Sequence, residues 1–297
     1  MTWSAILSLF DWFTPDRILS QNISFNESFK TPNEIDWRTH GAVTKIRDQK
    51  KDADCGSCYA FASIAALESQ HFVKTGHLLE LSVQEIVDCS SKNKGCNGGS
   101  EDEVYNYIAY NGIGLAKDYI YESNEGRCRK NKAPRSEVEV FGFVEFGTAK
   151  DITKAIAEFG PVVVGLDLYS KSFRFYKEGI YDDPECTSGE INHLVVAVGF
   201  GTDEASGLDY WILKNSFSES WGEKGYMRLL RDPDSFPSSI SACFPLLNRE
   251  ASDNNRVLEN RVLFKISFLL VFLIVVSIMV MGCISCFRMC RNFCRKI

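Results

Sequence analysis

Twenty consecutive residues near the C-terminus, Ile266–Ser285 (ISFLLVFLIVVSIMVMGCIS), carry no charge. A helix of that length covers the roughly 30 Å hydrocarbon core of a bilayer, so the run reads as a transmembrane helix. It therefore sits outside any fold built in water, and the residues before it suffice for one core of two lobes with appendages. Arg288, Arg291, Arg295 and Lys296 follow the run, against Arg256, Arg261 and Lys265 before it. The positive-inside rule then points the tail to the cytosol and the rest to a lumenal or extracellular side. A cleaved lipid-anchor signal is disfavoured, because such signals end apolar and this chain ends basic. From Val262 onward there are five basic residues and no acidic one, so the remainder is more acidic than the overall charge of −6. That balance argues against nucleic acid as a partner.

Seven of the eleven cysteines lie between Cys55 and Cys243, and four (Cys283, Cys286, Cys290, Cys294) crowd the end of the apolar run. An odd count before a membrane segment suggests three disulfides and one free thiol, formed in an oxidising compartment. The four tail cysteines, set among Arg and Lys beside a membrane, read as palmitoylation sites in preference to a zinc site. Asn22-Ile-Ser and Asn26-Glu-Ser are glycosylation sequons. Met1–Phe10 (MTWSAILSLF) lacks the basic start of a signal peptide and Asp11 cuts its apolar stretch short, so a start within a longer precursor is expected.

From Cys58 to Lys74 the chain is rich in Ala and Leu, with Gly76 just beyond, which predicts a helix packed deep in a core. Ser82–Glu85 (SVQE) fits a capping box opening a second helix toward Cys89, and Gly95–Gly99 (GCNGG) forces a loop. After about residue 140 the texture changes. Short β-branched and aromatic runs at Pro161, His193, Tyr210 and Gly225 are separated by Gly, Asp and Ser clusters. A helical half followed by a sheet-rich half predicts two lobes with a cleft between them.

Nucleophilic thiol chemistry needs a thiolate, a base, a group that orients the base, and donors for the oxyanion. Cys58 lies in Cys55-Gly-Ser-Cys-Tyr-Ala-Phe, close to a known signature around a catalytic cysteine. Four histidines could serve as base. His40 falls in a loop, His71 within the buried helix and His77 past its end, whereas His193 opens a strand 135 positions after Cys58. Asn215 ends the next strand and can hold the imidazole through its amide.

At these residues the chain resembles the papain family of cysteine peptidases, nearest the cathepsin L type, from about Thr31 to Glu250. Asp36-Trp37-Arg38, Gly41-Ala-Val-Thr, GCNGG, Gly160-PVVVGLDL, Phe173-RFYKEGIY and Trp221-GEKGY follow in family order, and Phe10-DWFTPDRI is similar to the end of the family's inhibitory propeptide. The resemblance implies an α+β, papain-like two-lobe fold, with a helical left lobe, a β-barrel-like right lobe and the active site in the cleft. It divides the chain into a propeptide remnant (1–30), a catalytic domain (31–250), a stalk (251–265), the transmembrane helix (266–285) and a cytosolic tail (286–297). It implies a membrane-anchored endopeptidase acting on proteins or peptides. Cys58 would be nucleophile, His193 base and acid, Asn215 orienter, Gln49 oxyanion donor and Trp221 the roof of the leaving-group side. It pairs Cys55 with Cys96, Cys89 with Cys128 and Cys186 with Cys243, leaving Cys58 free. Its thiolate would rest as an ion pair with protonated His193, aided by a helix N-terminus.

The resemblance also places Gly98 and Gly99 along the substrate backbone. Ser100, Glu101, Gly165, Ile191 and Leu194 would line the specificity pocket with Asn248 at its base, and Asn192 and Trp221 would also bind substrate. Leu194 stands where the family usually has Gly or Ala, which should shorten the pocket and favour medium aliphatic residues over Phe, while Glu101 is expected near the solvated mouth. Two departures bear on the site: the stretch between Gln49 and Cys55 is three residues longer than usual, and Phe217 replaces the Trp that shields the Asn–His hydrogen bond. No cofactor or metal is implied, cystatin-like inhibitors are implied as partners, and a monomer is expected. The rival reading is a weakly active or inactive papain-fold surface protein used for binding or adhesion. A metalloenzyme lacks its ligand spacings outside the tail.

Overall fold

The structure is a computed structural model that describes residues 20, 25, 28–129, 134–146, 148–166, 171–182, 191–231 and 242–247. Asn22, Asn26, Cys186, Asn248, the four tail cysteines, the apolar run and the propeptide-like piece lie outside them. No helix among the described residues is long and apolar enough to cross a membrane.

Helix α1 (Cys58–Thr75) is buried on all sides from Tyr59 to His71: small and apolar residues make up most of this stretch, and Glu68, Ser69 and Gln70 go inside with hydrogen-bond partners. Gly76 stops it in the left-handed region at φ 75° and returns its N–H to the Phe72 carbonyl. Helix α2 (Val83–Cys89) opens on Ser82, whose Oγ accepts the Glu85 N–H at 3.0 Å. Only that half of the capping box forms. The Glu85 carboxylate turns away from Ser82 to take Tyr107 Oη–H, the Gly114 N–H and the Arg135 guanidinium. Helix α3 (Glu101–Asn111) begins with three acids, which suit its N-terminal dipole. Disulfides Cys55–Cys96 and Cys89–Cys128 tie the loops of this helical lobe together.

The second half forms strands β2 (Gly142–Phe146), β3 (Val162–Leu166), β4 (Ile180–Tyr181), β5 (His193–Thr202), β6 (Asp209–Lys214), β7 (Tyr226–Leu230) and β8 (Ala242–Leu246). They make one sheet in the order β2-β8-β3-β5-β6-β7-β4, and β1 (Ile35–Asp36) reaches across to pair with the far end of β5. All pairings are antiparallel except β4 with β7. The expected barrel-like closure is not found among the described residues: their sheet is open, ending on β2 and β4. The half also holds two helices that sequence texture did not reveal, α4 (Ala149–Glu158) and the short α5 (Lys171–Arg174).

Alternation along the strands assigns the two faces of the sheet. Val163 of β3 and Leu194, Val196 and Val198 of β5 join the core built on α1. Val162, Val164, Val195 and Ala197 join a second core with Ile152 and Ile156 of α4, Trp211 and Phe244. The period of two thus lets one sheet serve both cores. It also aims Leu194 at α1 and its neighbour His193 the other way. Cys243 of β8 faces the α1 core and is a buried free thiol. Cys58 and Cys243 are thus both free thiols among the described residues, while Cys186, the expected partner of Cys243, lies outside them.

Candidate active site

Cys58 is the first residue of α1, where amide dipoles converge. His193 opens β5, and Asn215 directly follows β6, the next strand of the sheet. His193 Nε2 lies 2.9 Å from Asn215 Oδ1, and the Ser216 backbone N–H donates to that same oxygen at 2.8 Å. A group that receives a backbone N–H is an acceptor, so Nε2 carries the proton and Nδ1 is left as the basic nitrogen. Asn215 Nδ2 is buried with no partner among the described residues, so the amide is held through its oxygen.

An open groove of about 930 Å³ brings the chemical groups together. Cys58, His193, Gln49, Gly98, Gly99, Ser100, Glu101, Ile191, Asn192 and Leu194 all line it. Gln49 is not displaced by the longer loop after it. Its Nε2 donates to the Cys55 carbonyl at 3.0 Å, its Oε1 accepts from Ser216 Oγ at 2.7 Å, and Tyr121 Oη–H caps its carbonyl. One amide hydrogen of Nε2 stays uncommitted among the described residues. The extra length is taken up outside, as residues 50–54 are exposed and clipped by a Lys50–Asp54 ion pair of 2.7 Å.

Gly98 and Gly99 are needed for different reasons. Gly98 sits at φ +103°, and a Cβ on Gly99 would lie 2.2 Å from Asn93 Oδ1, the atom that receives the Ser100 N–H.

The expected ion pair is not what the surroundings favour. Burial pushes the Cys58 thiol up, against the backbone amides of Leu194, Tyr59 and Cys58 itself, and Glu101 adds to the rise. Burial likewise pushes His193 down to about 4, opposed by its bond to Asn215 and assisted by the charge of Lys50. Each group taken alone is held neutral, because removal from water penalises either charge. Proton transfer must then draw on the attraction between the two charges it creates.

Three pocket expectations are corrected. Trp221 does not line the groove: it is buried beneath Phe217 against Phe173 and Tyr176, with ring centroids 5.0–5.9 Å apart. Gly165 is covered by Ile191, whose Cγ2 would stand 2.7 Å from an added Cβ, so its bareness makes room for that side chain. Glu101 lines the groove half-buried, so the solvent screening expected there is reduced and its carboxyl is pushed up by burial. Phe217 packs against the imidazole of His193, with ring centroids 5.0 Å apart and planes tilted by 39°. Lys50, Asp54 and Arg174 also line the groove. Sequence reasoning assigned them no role, although the lengthened loop was the signal for the first two.

Residues 31–244 match the papain family cysteine protease family. The chain belongs to that family. It is 48% identical over 206 residues to cathepsin L of Sarcophaga peregrina and 46% identical over 222 residues to cathepsin L1 of Drosophila melanogaster. These matches cover 68% and 73% of this chain, but only 59% and 58% of those relatives. Among solved structures, digestive procathepsin L 3 of Tenebrio molitor superposes with a TM-score of 0.67 at 33% identity, over 78% of this chain and 76% of that one. The bromelain protease of Ananas comosus, solved with the inhibitor E64, gives 0.67 at 35% identity over 73% of this chain and all of that one.

Proposed function

We propose that the chain is a cysteine endopeptidase held in a membrane by Ile266–Ser285, with its catalytic part lumenal or extracellular and its C-terminus cytosolic. The single observation that carries the catalytic reading is the His193–Asn215 pair of 2.9 Å in the same groove as a thiol at a helix start. Cys58 Sγ attacks the peptide carbonyl as its proton passes to His193 Nδ1. The free N–H of Gln49 Nε2 and the Cys58 backbone N–H receive the oxyanion. The tetrahedral intermediate collapses as His193 hands the proton to the leaving amine, and water, activated by the same imidazole, releases the acyl group. Leu194 in the groove wall supports a preference for medium aliphatic residues over Phe. The anchor rests on the charge-free run alone.

Alkylation tests the catalytic reading. Iodoacetamide or E-64 should modify Cys58 in the folded chain and leave the buried Cys243 untouched, and the same treatment should abolish peptide hydrolysis in mildly acidic, reducing buffer. Unlabelled Cys58 with no turnover would favour the binding-protein reading. Protease protection of a C-terminal epitope in sealed vesicles tests the anchor: digestion from the lumenal side would reverse the topology.

A further inference from the structure

We propose that Lys50 and Arg174 form a cationic subsite on the leaving-group side of the groove, selecting substrates with an acidic side chain just beyond the cleaved bond. The direction of the substrate follows from the proposed chemistry, on which this inference rests. The acyl half stays on Cys58 and the amine takes its proton from His193, so the leaving half of the peptide runs out past the imidazole. Gly98, Gly99, Ser100, Glu101 and Leu194, which also line the groove, are the residues the family resemblance assigns to the acyl half.

The groups past the imidazole are charged. Lys50 Nζ stands 5.9 Å over the Phe217 ring, which itself packs against His193. Its charge reaches the imidazole and helps to lower its pKa. Asp54 binds Lys50 at 2.7 Å and also feels Arg174 from the sheet lobe, so these three groove-lining charges lie within electrostatic reach of one another. Two are cations and one is an anion. Asp54 is engaged by Lys50, whereas Arg174 has no ion-pair partner among the described residues. An acidic substrate side chain would complete the alternation, and a basic one would meet net positive charge. Lys50 and Asp54 belong to the lengthened, exposed loop, which adds no core packing and still lines the groove.

Because these groups are solvent-exposed, the preference should be modest, about three- to tenfold between acidic and basic peptides at low salt, and should fade as salt screens it. The full chain carrying Cys58→Ala, purified in mild detergent, is titrated with labelled peptides identical except for Glu, Gln or Lys at the first or second position after the cleavage point, read by anisotropy. The expected order is Glu, then Gln, then Lys, collapsing in the Lys50→Ala/Arg174→Ala double variant. A second measurement, kcat/KM of the chain with Cys58 intact on the same peptides, should give the same order. Lys binding as well as Glu, or a Glu preference that survives the double variant, overturns the subsite. Absence of turnover on every peptide, with the binding order intact, sinks the protease reading instead.

Discussion

The helical and sheet lobes solve the same problem, holding a reactive group still, with opposite materials. In the helical lobe polar groups are buried and cross-linked. Glu68 is fully buried on α1 and takes hydrogen bonds from Thr44 Oγ1 and the Leu81 N–H, each at 2.7 Å, and from Arg47. Lys214, from the sheet, joins the group by donating to Thr44. The sheet lobe instead sets rings against its proposed catalytic histidine: Phe173 and Phe217 lie 6.3 and 5.0 Å from the His193 ring, and Trp221 packs on both of them. The difference teaches where each reactant is set. Cys58 depends on one helix being fixed at its start, while His193 depends on a dry aromatic wall that also decides its charge.

The strongest test of this division removes a reactant from one lobe. His193→Ala should lower kcat by about 10³-fold or more, and the double variant with Cys58→Ala should be no worse than the weaker single, since the two act as a unit. Additive losses would break the view that neither lobe's group works alone. Stability comes next. Glu68→Ala leaves Arg47 and Lys214 facing an emptied site, with an expected cost of about 3–5 kcal/mol. Trp211→Ala should cost a similar 3–5 kcal/mol through a cavity. Urea unfolding of both reads the comparison, and a loss under about 1 kcal/mol for Glu68→Ala would show that the ionic cluster is not what holds the helical lobe.

A third experiment uses pH. His193 has a folded pKa of about 4 against an ordinary 6.5, so between those values the unfolded chain binds the extra proton. Stability contributed by neutral His193 is thus complete above about pH 6.5 and lost as pH falls toward 4, by at most about 3 kcal/mol. Unfolding free energies of the wild type and His193→Ala between neutral and acid pH should diverge by that amount; parallel curves would mean that the aromatic wall does not set the charge. The smallest effect concerns selectivity. Leu194→Ala should improve Phe relative to Leu, in the substrate position two before the cleaved bond, by about 1–3 kcal/mol in kcat/KM. An unchanged ratio would remove Leu194 from the pocket wall.

Sequence by itself determined what local chemistry can encode. The Cys55–Phe61 motif, the start of a strand at His193, Asn215 at the end of the next one, the Gly76 stop and the Ser82 cap are all written within a few residues, and the family's order of motifs follows from them. Only the tertiary structure decided the rest. Sheet pairing left the described sheet open and placed Cys243 in the core against α1. Gln49 stayed in the groove because its amide is tied to Cys55 and Ser216, contacts 6 and 167 positions away. Burial from elements distant in sequence made Cys58 and His193 favour neutrality and drew Trp221 out of the groove wall. The physical reason is the range of each effect: propensity, capping and turn preference act between near neighbours, whereas desolvation and packing are sums over whatever the fold brings close.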